Sequence, residues 1–181
     1  MTPLVQSVTS MLSFFVVLGY GVVLLIFVSL VAKSASWAKS VLNFFGSRAI
    51  LFSFLVALAA TATSLFYSNV AGFTPCLWCW WQRIFMYPQV VLLGIALAIR
   101  DKRIAIYSLA LSIAGAVIAA YHTYIQFGGS PLIPCSADSA AATCGKVYFL
   151  NYGFITIPSM SLVGFLLIIS FMLASWANSR N

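Results

Sequence analysis

Apolar positions dominate the chain in long blocks. Five uncharged stretches stand out, Leu12–Ala32, Ala49–Ser68, Ile84–Ile99, Ile104–Ile125 and Pro158–Trp176. The third is short, but Leu77, Trp78, Trp80 and Trp81 extend it at one end. A spanning barrel would show alternating polar residues in ten-residue pieces, and nothing here alternates. Backbone groups in lipid must be satisfied within their own segment, so each block predicts a helix. The first block lacks a basic leader and an A-x-A site, and Lys33 follows it as a stop-transfer residue would, so it reads as a retained span. Between the first two blocks, Ser34–Arg48 carries Trp37, Val41, Leu42 and Phe45 at helical spacing beside its cations. That predicts a short amphipathic helix on the inner membrane surface, with a plain loop as the alternative. The fold class is an all-α membrane protein of five spans.

Composition sharpens this reading. Of 181 residues, 63% are hydrophobic and 6% charged, where a soluble domain carries about 25% charged residues. Disorder, a nucleic-acid-binding domain and a solvated enzyme are excluded. The formal charge of +7 comes from cations set between the blocks. Lys33, Lys39, Arg48, Arg100, Lys102, Arg103 and Arg180 share one side if all five spans cross, and the other side holds Arg83 and Lys146. The positive-inside rule then puts the N-terminus outside and the C-terminus in the cytoplasm.

All four cysteines fall on the outer side, where disulfides persist: Cys76 and Cys79 before span three, Cys135 and Cys144 before span five. Three pairings are possible, and spacing favours Cys76–Cys79 with Cys135–Cys144. Two structural disulfides, or a four-cysteine zinc site, are alternatives. A CxxC loop closes almost no chain entropy, however, and an oxidising compartment disfavours zinc, so redox chemistry without a metal is the expectation.

The surroundings support that expectation. Thr74 and Pro75 read as N-cap and first helical residue, placing Cys76 and Cys79 in the first turn, where the helix dipole favours a thiolate. Arg83, four residues beyond Cys79, adds a cation on the same face; an interfacial anchor is the plainer alternative. His122 lies about 28 Å along span four, so it should meet Arg83 at similar depth near the outer face. Two hydrogen-bonding groups beside a dithiol at the lipid boundary suit a lipid-soluble carbonyl compound such as a quinone. Pro88 predicts a kink in span three, and Trp78, Trp80 and Trp81 read as an interfacial belt. The loop Phe127–Ile157, with Gly128-Gly129-Ser130-Pro131 and Pro134-Cys135, reads as irregular and exposed.

Pro75-Cys76-Leu77-Trp78-Cys79 with Gln82-Arg83, and Tyr121-His122 thirteen residues ahead of Cys135, resemble the DsbB family of membrane thiol–quinone oxidoreductases. The short second loop and Gly153-Phe154-Ile155-Thr156-Ile157-Pro158 resemble its Gram-positive, BdbC-like branch. The resemblance covers roughly Ala49 to Trp176. It implies a four-helix bundle in the bacterial cytoplasmic membrane, residues 49–181, preceded here by an additional N-terminal span and linker, residues 1–48. It also implies an electron path to a membrane quinone, ubiquinone or menaquinone. By resemblance, Cys135 is attacked by a DsbA-like thioredoxin-fold thiol oxidase and pairs with Cys144. Cys144 passes electrons to Cys76, Cys79 engages the quinone, and Arg83 with His122 holds its head. The first span has no counterpart in the usual four-span pattern, and eight residues between Cys135 and Cys144 leave little room for a surface helix. The vitamin K epoxide reductase family couples cysteines to a quinone with the opposite cysteine order. A disulfide-stabilised channel or transporter would keep ionisable groups at mid-depth, where none occurs here.

Overall fold

The computed structural model describes residues 2–130 and 144–178. Six helices follow in order: α1 Pro3–Val31, α2 Ser36–Ser47, α3 Ala49–Asn69, α4 Leu77–Ile99, α5 Ile104–Gln126 and α6 Ile157–Asn178. All but α2 are long and apolar enough to cross a membrane, so the all-α, five-span reading holds. Two ends differ from expectation. α1 begins at Pro3 rather than Leu12, with Pro3 in its first turn and the Thr2 hydroxyl accepting from the Val5 N–H at 3.4 Å. Thr9, the polar residue ahead of Leu12, faces protein, where Tyr67 donates to it at 3.2 Å, and one turn on Asn151 donates to Ser13 at 2.8 Å. α4 begins at Leu77 rather than Pro75, and Arg83 inside it finds partners on α3.

α6 is the hub, packing on α1, α2, α3 and α5. Of its most apolar 18 residues 56% are buried, against 17–28% in the other spans. Phe165, Ile168 and Met172 form the core with Ala57, Met86, Leu93, Ala116 and Ala119. Gly115 lets α5 approach closely, since a Cβ there would overlap the Phe165 ring. Small residues at helix contacts are the usual device where lipid competes with protein for apolar surface. Large side chains on the outer faces, such as Phe27, Val91 and Val117, are left exposed to the lipid.

The linker is helical, as its amphipathic pattern predicts. Ala38, Leu42 and Gly46, four apart, are buried. Gly46 lies so close to the Ala174 carbonyl that an added Cβ would come within 2.7 Å of it. Phe45, Phe52 and Phe171 gather here with ring centroids 5.5–5.7 Å apart, while Lys33, Lys39 and Arg48 stay exposed.

α4 runs on through Pro88. Gln89 crosses to α5, accepting from Ser108 at 2.7 Å and Ser112 at 3.1 Å while donating to the Phe85 carbonyl at 3.0 Å. The direction of the helices brings Cys76, Cys79, His122 and Cys144 to one end of the bundle, with Arg83 and Lys146. Among the described residues, the other six cations lie at the opposite end.

Candidate active site

The segment before α4 positions the dithiol. Phe73 stacks between Tyr67 and Tyr148 with centroids 5.6 and 4.2 Å away, and Tyr148 donates to the Thr74 carbonyl at 3.1 Å. With the backbone held extended there, the helix starts two residues later than expected. Cys76, not Thr74, is the N-cap, and its sulfur accepts the Cys79 N–H at 3.4 Å.

Cys76 and Cys79 are free, and their sulfurs lie 3.1 Å apart. Cys76 is buried, and His122 Nε2 lies 3.5 Å from its sulfur. The hydrogen bond from the Cys79 thiol, then that from His122, bring the Cys76 thiol down to about 4 against the upward push of burial. Within the reduced pair, Cys76 is therefore the thiolate and Cys79 the donor.

His122 is 1% exposed. The Gln82 side-chain amide donates to its Nδ1 at 2.9 Å, an orientation assigned from the network, so the ring proton sits on Nε2. That N–H is shared between Cys76 Sγ and the Cys144 carbonyl at 3.2 Å. Cys144 is disulfide-bonded and buried in one cluster with Cys76, Trp78 and Ile125. Cys135 lies outside the described residues. Trp78 departs from the belt reading, since it is buried against Tyr121 with centroids 4.8 Å apart; Trp80 and Trp81 are exposed.

Arg83 takes the opposite side of the dithiol. Its Nε and Nη2 donate to the hydroxyl and carbonyl of Ser64 at 3.0 and 3.3 Å, and its guanidinium lies 5.1 Å from the Trp80 ring centroid. Tyr87 donates to the same Ser64 hydroxyl at 3.0 Å. Arg83, Cys79 and Gln82 line a cavity of about 400 Å³ bounded by α1, α3, α4 and α6. His122 does not line it. The sequence places Arg83 and His122 at similar depth, but the structure sets them on two sides of the cysteine pair. Ser64 and Tyr148 carry no strong sequence signal; Gln82 stands in the Gln82-Arg83 motif without an assigned role, and with Gln89, seven apart, it marks one polar stripe of α4 turned toward α5.

The ligand atoms of Cys76, Cys79 and His122 lie within 4.8 Å of one another, a soft set able to hold a thiophilic metal. Two thiolates on a tetrahedral zinc stand roughly 3.8 Å apart, given Zn–S bonds of about 2.3 Å. The observed 3.1 Å is shorter, and suits exchange between dithiol and disulfide better.

Fold and site thus define a helical membrane protein with a dithiol buried at one end of its bundle. The chain belongs to the DsbB family: the family described as disulfide bond formation protein DsbB matches residues 46–175, leaving α1 outside. A probable disulfide formation protein C of Bacillus cereus is 45% identical over 126 residues, 66% of this chain and 86% of that protein. Disulfide bond formation protein C of Bacillus subtilis is 43% identical over 122 residues, again 66% and 86% of the two chains. A prophage-derived disulfide bond formation protein B of the same species is 41% identical over 118 residues, 65% of this chain and 78% of that protein. No solved structure matches the chain. It is a membrane protein of disulfide bond formation, with the oxidoreductase activity that this family implies.

Proposed function

We propose that the protein reoxidises a DsbA-like, thioredoxin-fold thiol oxidase at the outer face of the bacterial cytoplasmic membrane and passes the electrons to a membrane quinone, ubiquinone or menaquinone. One observation carries this reading. The dithiol stands between a loop cysteine, Cys144, packed beside Cys76, and an apolar cavity on whose wall Cys79 and Arg83 lie.

The cavity fits such a group. Its size is that of a small-molecule site, its lining is mostly apolar, and Arg83 offers donors beyond those spent on Ser64. When bound, a quinone supplies an acceptor for two electrons and two protons.

The protein's own steps are thiol–disulfide exchanges. The partner's thiolate attacks Cys135 of a Cys135–Cys144 disulfide, and its second thiol resolves the adduct, leaving the partner oxidised and the loop pair reduced. Cys144 then attacks Cys76 of a Cys76–Cys79 disulfide. The Cys144–Cys76 bond forms, the Cys76–Cys79 bond breaks, and Cys79 leaves with the electron pair at the cavity wall beside Arg83. His122, held by Gln82, serves Cys76 and the Cys144 backbone, where it steadies the thiolate and the approach of the loop. Cys135 then attacks Cys144, which re-forms the loop disulfide and releases Cys76 with the electron pair, leaving Cys76 and Cys79 as the dithiol. That dithiol gives its two electrons and two protons to the quinone acceptor in the cavity and closes again as the Cys76–Cys79 disulfide. Net, a partner dithiol gives up two electrons and two protons and becomes a disulfide.

Purified protein in lipid, given reduced partner and a quinone, should convert both in equal amounts. Oxidation of the partner no faster than without the protein overturns the reading and leaves a non-enzymatic, disulfide-stabilised membrane protein.

A further inference from the structure

We infer that α1, the helix outside the family match, completes the quinone site by walling the space that receives the isoprenoid tail. This rests on the quinone reading above. The cavity is elongated. Along α6 its lining runs from Ile157 to Leu167, and along α3 from Ser68 to Leu55, about 15–20 Å at 1.5 Å per residue. Its outer end carries Cys79, Arg83 and Ser64, and Arg83 is the one charged residue among the described residues lining it. Deeper in, the lining is aliphatic and aromatic, and α1 supplies one wall through Leu12, Phe15 and Val16. A polar head socket that continues into an apolar channel matches a prenylated quinone along its length.

The wall is fixed in place. Thr9 and Ser13 tie α1 to Tyr67 and Asn151, and Gly19 brings it against Val163, where an added Cβ would stand 2.8 Å from the Val163 methyl. Leu12 and Val16 are half-buried, on the side of α1 that also carries Ser13 and Gly19. α1 therefore selects for the tail while the chemistry of the dithiol lies elsewhere, at the start of α4.

The test uses the intact protein in lipid and two quinones of one head group, with and without a prenyl tail. A prenyl quinone carrying a photoreactive diazirine near the first tail units should label α1 around Leu12–Val16, read by peptide mass spectrometry. Leu12→Trp and Val16→Trp should raise KM for the prenylated quinone about tenfold, lower the amount that co-purifies, and leave the tailless quinone unchanged. Leu18→Trp, on the exposed side of the same helix, should alter neither. Labelling confined to α3 and α6, or equal effects on both quinones, overturns the inference and leaves the space to a lipid acyl chain. A parent protein that reduces neither quinone would instead sink the functional reading itself.

Discussion

His122 Nε2 lies 3.5 Å from the Cys76 sulfur and 3.2 Å from the Cys144 carbonyl, so one proton serves both a thiolate and the neighbouring loop. Replacing His122 by Ala, or Gln82 by Leu, removes the donor or its orientation. Either change should raise the Cys76 ionisation midpoint by about 1–2 units, read from thiolate ultraviolet absorbance of the reduced protein against pH. A midpoint unmoved in both disrupting variants assigns His122 to packing alone.

The same ionisation gives a pH dependence of stability. The folded Cys76 value, about 4, lies below the unfolded one of about 8.5. The contribution is complete above the unfolded value and is lost as pH falls toward the folded one. Reduced protein should therefore lose stability from pH 8 to pH 5 relative to a Cys76→Ser variant, measured by thermal unfolding in detergent. Parallel curves would show that the thiolate is not stabilised.

Arg83 is anchored by Ser64 and stacks on Trp80. Arg83→Ala should weaken apparent quinone affinity about 10–100-fold, the range expected for a lost charged hydrogen bond. Arg83→Lys restores charge without the fork and should recover only part. Unchanged affinity in both variants would leave Arg83 as an interfacial anchor.

Gly115 faces the Phe165 ring without room for a Cβ. Gly115→Ala should cost about 1–3 kcal/mol, and Phe165→Leu in the same chain should return part of it, because the two sites are coupled. Additive losses in the double variant would contradict the close α5–α6 contact.

Access decides which sulfur a soluble thiolate reaches first. Cys76 is buried, whereas Cys135 follows Pro134 in the segment that the sequence reads as irregular and exposed. A partner lacking its resolving cysteine should be trapped on Cys135, identified by non-reducing electrophoresis and peptide mass spectrometry. Cys79→Ser should still permit that adduct while ending sustained turnover. Capture chiefly on Cys76 or Cys79 would reverse the electron path.

Much of the bundle is legible in the sequence because lipid imposes length and hydropathy on each span. Ala49 and Ile104 begin helices where the apolar blocks begin. The start of α1 is misplaced because Thr9 looks like a boundary residue until Tyr67 is known to meet it. Helical rise puts His122 and Arg83 at one depth from sequence alone. Their separation around the dithiol depends on how α4 and α5 are rotated against each other, which Gln89 with Ser108 and Ser112 settles through contacts between distant segments. The Cys76 cap was hidden for a local reason, because Thr74 is the better capping residue by type, but Tyr148 occupies its carbonyl.

That cap ties secondary structure to electron affinity. The Cys76 sulfur accepts the first-turn N–H of α4, and a thiolate accepts far more strongly than a disulfide sulfur. A helix cap contributes about 1 kcal/mol, here mostly to the reduced form. Over two electrons this corresponds to roughly 20 mV, so the start of α4 itself makes the pair a stronger oxidant, before any ligand enters the cavity.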